Sequence, residues 1–405
     1  MVRASSTPGS GLPAFYGGRP IFPEGLPIAR PSVPPATALQ GDVSRILESG
    51  ILTNGPYVRE LEDRAAGYLS VRHCIAVASC TSGLMLVLRA SELTGDVLVP
   101  SFTFAATAHA VSWNGLRPVF ADIDRSTLTL SPEAVAETMG VRTSAILATH
   151  TYGTPCDVEG LDAVARSNGV RLLFDAAHAF GSQRAGVCVG GFGDAEVFSL
   201  SPTKVLVAGE GGIISTNDDA IAQQCRIGRD YGNPGNYDCS FVGLNARMSE
   251  IHAAMALRSL ETLEDRISQR NALASLYRGL LGPIPGMSFP EVGRGDRSTY
   301  KDLAVLVDPE SFGTDPGWLA RALAAEGIET RRYYSPPVHA MRAYRGLGPA
   351  PPLPNTEFAA AQALCLPLWT GLTPGQVERV ALAIERIREA WRGEGRPLAG
   401  RTRAG

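Results

Sequence analysis

Arg171-Leu172-Leu173-Phe174-Asp175-Ala176-Ala177-His178 is an apolar, strand-like run that ends in a carboxylate, and it sets the reading of everything around it. Strands of this kind, rich in Val, Ile and Leu, recur along the chain: His73 to Ser79, Asp96 to Ser101, Arg117 to Ile123, Ser144 to His150, Ala195 to Leu200 and Gly211 to Asn217. Helical stretches separate them. That alternation predicts an α/β fold with a mostly parallel seven-stranded sheet covered on both faces by helices. In such sheets ligands sit at the carboxyl ends of the strands, where Asp175 falls.

Outward from this block, residues 1–38 are rich in Pro and Gly without periodicity and read as an extended N-terminal arm. A large domain is expected over 39–265, and a smaller C-terminal α+β domain over 266–392. The latter has a strand from Asp302 to Val307, a helix from Gly317 to Glu326 stopped by Gly327, and a closing helix from Thr373 to Trp391. A single long helix is expected from Met248 to Tyr277, with Ile251, Ala254, Leu257, Leu260 and Leu263 along one face. Residues 393–405 read as a loose tail.

With 405 residues, 44% hydrophobic and 19% charged, the chain can bury a large core. A net charge of -3 and scattered basic residues give no electrostatic footprint for nucleic acid and no polybasic surface for a membrane. No charged start followed by an apolar stretch marks a leader, and no apolar run approaches the roughly 20 residues that cross a bilayer, so a cytoplasmic location is expected. Seven cysteines, without C-x-x-C spacing, argue against disulfides and zinc and read as reduced core thiols. The six histidines show no metal-ligand spacing, so no metal is expected.

The residues that carry chemistry lie at strand ends. Lys204 follows Ser199-Leu200-Ser201-Pro202-Thr203 and precedes Gly209-Glu210-Gly211-Gly212, and it reads as a Schiff-base lysine. Paired with Asp175, it meets the two main demands of pyridoxal phosphate (PLP): an amine for the aldehyde and a carboxylate that keeps the pyridine nitrogen protonated. Thr81 and Ser82, in Ser79-Cys80-Thr81-Ser82-Gly83, open a helix whose N-terminus suits a phosphate, although the same residues would serve as a simple cap. Ser199 adds a hydroxyl. Phe104 is placed to stack on the ring and Phe102 to pack in the core, and His178 either reaches the ring oxygen or rests as a satisfied core histidine.

With these residues the chain resembles the nucleotide-sugar aminotransferases of the DegT/DnrJ/StrS family, which are fold type I PLP-dependent transferases. The blocks are Leu52-Thr53-Asn54-Gly55-Pro56, Pro100 to Thr107, Phe174 to Gly181, Phe198 to Gly212 and Gly243 to Glu250. The resemblance implies that Lys204 binds the cofactor, Asp175 partners its ring nitrogen, His178 contacts it, and Thr81, Ser82 and Ser199 hold the phosphate. It also implies that Asn245 reaches the phosphate of the other subunit, so a homodimer with shared active sites is expected. Tyr334 and His339 fall in a region that approaches substrate in the family.

Further blocks, such as Leu93 to Val97 and Phe102 to Ala110, are similar to members acting at carbon 4 of TDP-4-keto-6-deoxyglucose. The resemblance therefore implies amino transfer, with glutamate as donor and pyridoxamine phosphate as the intermediate form, to a nucleotide-linked keto sugar in deoxyaminosugar biosynthesis. Leu200-Ser201-Pro202-Thr203 departs from the Phe-His-Ala-Thr of those relatives, which leaves a 3-keto sugar open as the alternative. A PLP sugar dehydratase would carry histidine where Lys204 stands. A non-catalytic PLP- or nucleotide-sugar-binding regulatory protein is the remaining alternative.

Overall fold

A computed structural model describes residues 11–393 apart from 349, so residues 1–10 of the arm and all but the first residue of the tail lie outside the described residues. Seven strands form the main sheet: β1 (His73–Val77), β2 (Asp96–Pro100), β3 (Arg117–Ala121), β4 (Thr143–Thr149), β5 (Arg171–Asp175), β6 (Ala195–Ser199) and β7 (Gly212–Thr216). Their spatial order is β1-β7-β6-β5-β4-β2-β3. Pairings from β3 through β6 are parallel, and β7 alone runs against both its neighbours. Side chains on both faces of the central strands are buried: Val97, Leu98 and Val99 of β2 have no exposed surface, while Val119 of the edge strand β3 is partly buried. The sheet is therefore packed on both sides, as parallel sheets require.

The expected long helix is two helices, Glu250–Leu260 and Leu263–Leu281, broken at Thr262, whose φ of -117° and ψ of 15° leave the helical region. Within the first of them Ile251 does not share the buried face of Ala254 and Leu257 and is 39% exposed. The break lets Arg266 donate to the buried Ser259 hydroxyl at 2.7 Å, which also accepts the N–H of Val207 at 3.0 Å. The second helix belongs to two cores. Leu263 and Ile267 pack with the main-sheet cluster, while Leu273, Ala274, Tyr277 and Leu281 pack in the cluster of the C-terminal part. A boundary at 265/266 would fall inside this helix.

The C-terminal part carries a three-stranded antiparallel sheet of β8 (Met287–Ser288), β9 (Leu303–Val307) and β10 (Ala363–Leu366). Helices Pro316–Ala325 and Pro374–Gly393 cover it. The arm lies against this part. Phe22 and Leu26 donate to the carbonyls of Glu326 and Gly327, and the Glu326 carboxylate, with no exposed surface, accepts the N–H groups of Ala14 at 2.7 Å and Ile21 at 2.8 Å. All seven cysteines are free thiols. Five are buried, but Cys188 is half-buried and Cys239 exposed, so the core reading fails for those two.

Candidate active site

Strand ends and helix starts converge at the carboxyl edge of the sheet on a cavity of about 330 Å³. β1 ends at Val77, and Ser79 caps the Cys80–Ala90 helix: its hydroxyl accepts the N–H of Ser82 at 3.1 Å, and the Ser82 hydroxyl accepts the N–H of Ser79 at 3.1 Å. This reciprocal box occupies Ser82 in the turn, so Thr81 lines the cavity and Ser82 does not. The N–H groups of Cys80 and Thr81, at the first helical positions, have no intrahelical partner and suit an anion. Gly212, at the start of β7, presses on this turn. A Cβ there would lie 2.7 Å from the N atom of Cys80 and the carbonyl carbon of Ser79, so only glycine permits the approach.

Asp175 ends β5, buried in the sheet's edge. Its Oδ2 accepts the Thr107 hydroxyl at 2.7 Å, and its Oδ1 accepts the N–H of Ala177 at 3.1 Å. Thr107 in turn lies 2.9 Å from Thr103, whose hydroxyl is 3.2 Å from that of Thr149, so a buried chain of three threonines backs the carboxylate. Burial pushes the Asp175 carboxyl above the usual carboxylate range, and these hydrogen bonds with the charge of Lys204 pull only partly the other way.

Lys204 sits in the turn between β6 and β7, its N–H bonded to the Ser201 carbonyl at 3.0 Å. Burial, then the positive charge of Lys301, bring its amine down to about 8. His178 faces the same cavity as a neutral imidazole, held well below its usual range by burial and by the nearby cations Lys204 and Lys301. Its Nδ1 is buried without a hydrogen-bond partner, an arrangement that costs free energy unless a bound molecule supplies one.

The opposite wall comes from the C-terminal part: Lys301, Asp302, Tyr333 and Tyr334. Tyr334 lies flat against Tyr152, with ring centroids 6.1 Å apart, and meets the edge of Phe102 at 5.5 Å. Tyr152 donates to the carbonyl of Tyr333. The Lys301 ammonium is 2.7 Å from Asp302 Oδ1.

Of the residues singled out in the sequence, Lys204, Asp175, His178, Thr81, Ser199, Phe104 and Tyr334 line the one cavity. Phe104 is 63% exposed at its mouth, while Phe102 is fully buried in the core. His339 is not brought in. Its Nδ1 lies 2.7 Å from the Ser101 hydroxyl and its ring meets Phe120 edge-on, in a separate hollow with Arg117 and Tyr344. Asn245 is exposed and away from the cavity of its own chain. Sequence reasoning missed Thr107, whose place four residues after Thr103 at a helix start was the available signal. It also missed Lys301 and Asp302, an oppositely charged pair directly before the apolar run of β9. Among the described residues no cluster of three or more His, Cys, Asp or Glu can hold a metal, and no helix is long and apolar enough to cross a membrane.

Residues 36–385 match the model of the DegT/DnrJ/EryC1/StrS aminotransferase family. The dTDP-4-amino-4,6-dideoxy-D-glucose transaminase of Escherichia coli is 33% identical over 359 residues, covering 88% of this chain and 96% of that protein. Among solved structures, DesI in the presence of its TDP-sugar product is similar with a TM-score of 0.89 and 40% identity, covering 94% of this chain and 98% of that one. DesV of S. venezuelae, in complex with a ketimine intermediate, gives 0.81 at 32% identity, covering 87% of this chain and 94% of that one.

Proposed function

The chain belongs to the DegT/DnrJ/EryC1/StrS aminotransferase family, and from that premise we propose that it moves an amino group from glutamate to the keto carbon of a nucleotide-linked keto-deoxy sugar. The substrate is TDP-4-keto-6-deoxyglucose and the product its 4-amino-4,6-dideoxy counterpart. The E. coli transaminase named for that amino sugar and the TDP-sugar product seen with DesI support this choice. One observation carries the reading: a buried carboxylate, Asp175, and an amine lowered to about 8, Lys204, share one cavity at neighbouring strand ends.

The residues fit PLP, since the unpartnered Nδ1 of His178 and the free N–H groups at the start of the Cys80–Ala90 helix call for a ligand with ring and anionic groups. When bound, the cofactor supplies an electron sink and carries the amino group as pyridoxamine phosphate between the two substrates. Asp175 would hold a proton on the ring nitrogen, fixed in direction by Thr107 and the N–H of Ala177. Thr81, Ser199 and the helix N–H groups would take the phosphate, with Ser82 acting through the cap it closes. Phe104 covers one face of the site. Lys204, largely neutral above pH 8, would move a proton at Nζ in each half and end each half as it began: in the first it takes the proton off the donor's α-carbon and passes it on, and in the second it delivers a proton to the former keto carbon of the sugar.

Tyr334 stands on the substrate side of this arrangement. We place Asn245 at the phosphate of a second copy, which makes the enzyme a homodimer, and we place the enzyme in the cytoplasm, in keeping with its seven free thiols. The chain divides into arm, large domain and small domain, with helix Leu263–Leu281 as the joint.

Purified protein tests the proposal. The holoenzyme should be yellow, should bleach with glutamate, and should recover its colour with the 4-keto sugar; NMR of the product should place the amine at carbon 4. A protein indifferent to glutamate sinks the reaction, and an amine at carbon 3 sinks the substrate.

A further inference from the structure

We propose that Lys301 and Asp302 form a hydroxyl-binding subsite, which selects the sugar through an O–H group beside its keto carbon. This rests on the sugar-aminotransferase reading above. The pair lies in the wall of the cavity that holds Lys204, with side chains only 8% and 5% exposed. Lys301 Nζ is 2.7 Å from Asp302 Oδ1, while Asp302 Oδ2 is buried without a partner.

Successive side chains in extended backbone point to opposite faces, so neighbours seldom pair. Here the backbone is bent for it. Tyr300 has a φ of +45°, and the fully buried Arg270 guanidinium binds the carbonyl of Tyr300 from both Nε (3.0 Å) and one terminal nitrogen (2.7 Å). The same terminal nitrogen binds the Lys301 carbonyl at 2.7 Å. Arg270 thus fixes the segment before any ligand arrives.

Stability does not account for the pair, because desolvating two charges usually offsets their attraction. Ligand chemistry does. A hydroxyl both donates and accepts: its proton meets Asp302 Oδ2, and its oxygen accepts from one of the two remaining Lys301 N–H groups. The carboxylates of an amino donor offer no proton to Asp302 and are repelled by it. The pair therefore favours the sugar over the donor within a cavity both must enter, and it rejects sugars lacking the hydroxyl, as sites built to bond an O–H do.

D302N and K301Q holoenzymes, checked for retained yellow colour, test this in separate half-reactions. The first is bleaching by glutamate, and the second is return of the yellow colour when the keto sugar takes up the amino group. The sugar half should weaken at least about tenfold more than the donor half, and the excess should vanish with the deoxy analogue in the manner of a double-mutant cycle. Calorimetry adds a readout free of turnover: wild type should bind a non-reacting nucleotide sugar about tenfold more tightly than its deoxy analogue, and D302N should not discriminate. Equal losses in both halves, or discrimination preserved in D302N, overturn the subsite. A wild-type enzyme that aminates no keto sugar overturns the reading beneath it instead.

Discussion

Replacing Thr107 by valine keeps the shape of a fully buried side chain and deletes its 2.7 Å hydrogen bond to Asp175 Oδ2. A hydrogen bond to a charged partner is worth about 1.5–3 kcal/mol, so the ionised carboxylate should lose about that much support, a factor of roughly 10 to 100 in its ionisation equilibrium. The carboxyl is already held above its ordinary range by burial, and T107V raises it further. An aspartate whose folded value lies above its unfolded one opposes folding when ionised. That opposition is fully present above the folded value and is relieved as pH falls through it, because the native state then takes the proton first. T107V should therefore be less stable than wild type at neutral pH, with a gap that narrows in acid. The acid limb of kcat/KM should also move to higher pH. Thermal melts of the cofactor-free protein and rate profiles, both across pH, measure the two effects. A stability gap independent of pH together with an unmoved acid limb would refute the role given to the threonine chain.

Three other outcomes are expected. Lys204→Ala should keep the fold and bind PLP loosely but show no sugar amination, with borohydride fixing no label; turnover within tenfold of wild type contradicts the assignment. In cofactor-free protein, the rate at which a pyridoxal analogue attaches to position 204 should rise with pH and level off near 8, since the neutral amine is the nucleophile; a rise continuing toward 10 would contradict the lowered amine. Gly212→Ala forces a Cβ to within 2.7 Å of backbone at Ser79 and Cys80 and should cost about 1–3 kcal/mol in denaturant melts, together with weaker phosphate retention; a neutral effect on both would show that the turn can yield.

The sequence discloses the sheet because burial on both faces writes most of each strand in apolar residues, with Glu196 of β6 a buried exception, and all seven runs became strands. It discloses Asp175 and Lys204 because strand ends in such sheets face one common edge. The place of Ser82 is not legible because the residue type that suits a phosphate also suits a cap, and only the hydrogen bonds show that it closes the capping box. The separate hollow of His339 is not legible because the chain reaches the cavity at Tyr333 and Tyr334 and turns away within five residues toward Ser101. Thr107 stays hidden because its bond to Asp175 is made by tertiary approach over 68 residues, and the role of the adjacent Lys301–Asp302 pair because only the fold carries it into the cavity wall. The break at Thr262 is invisible to periodicity, because both helices keep an apolar face and only its direction changes.

Glu326 has a consequence for how the chain is made. The amides it grips at Ala14 and Ile21 are synthesised 312 and 305 residues ahead of it. At roughly 5–20 residues per second, the segment from Ala14 to Ile21 waits on the order of 15–60 s for its anchor to be synthesised. These two amides are thus secured long after they are made, and a nascent chain halted before position 326 cannot fasten them.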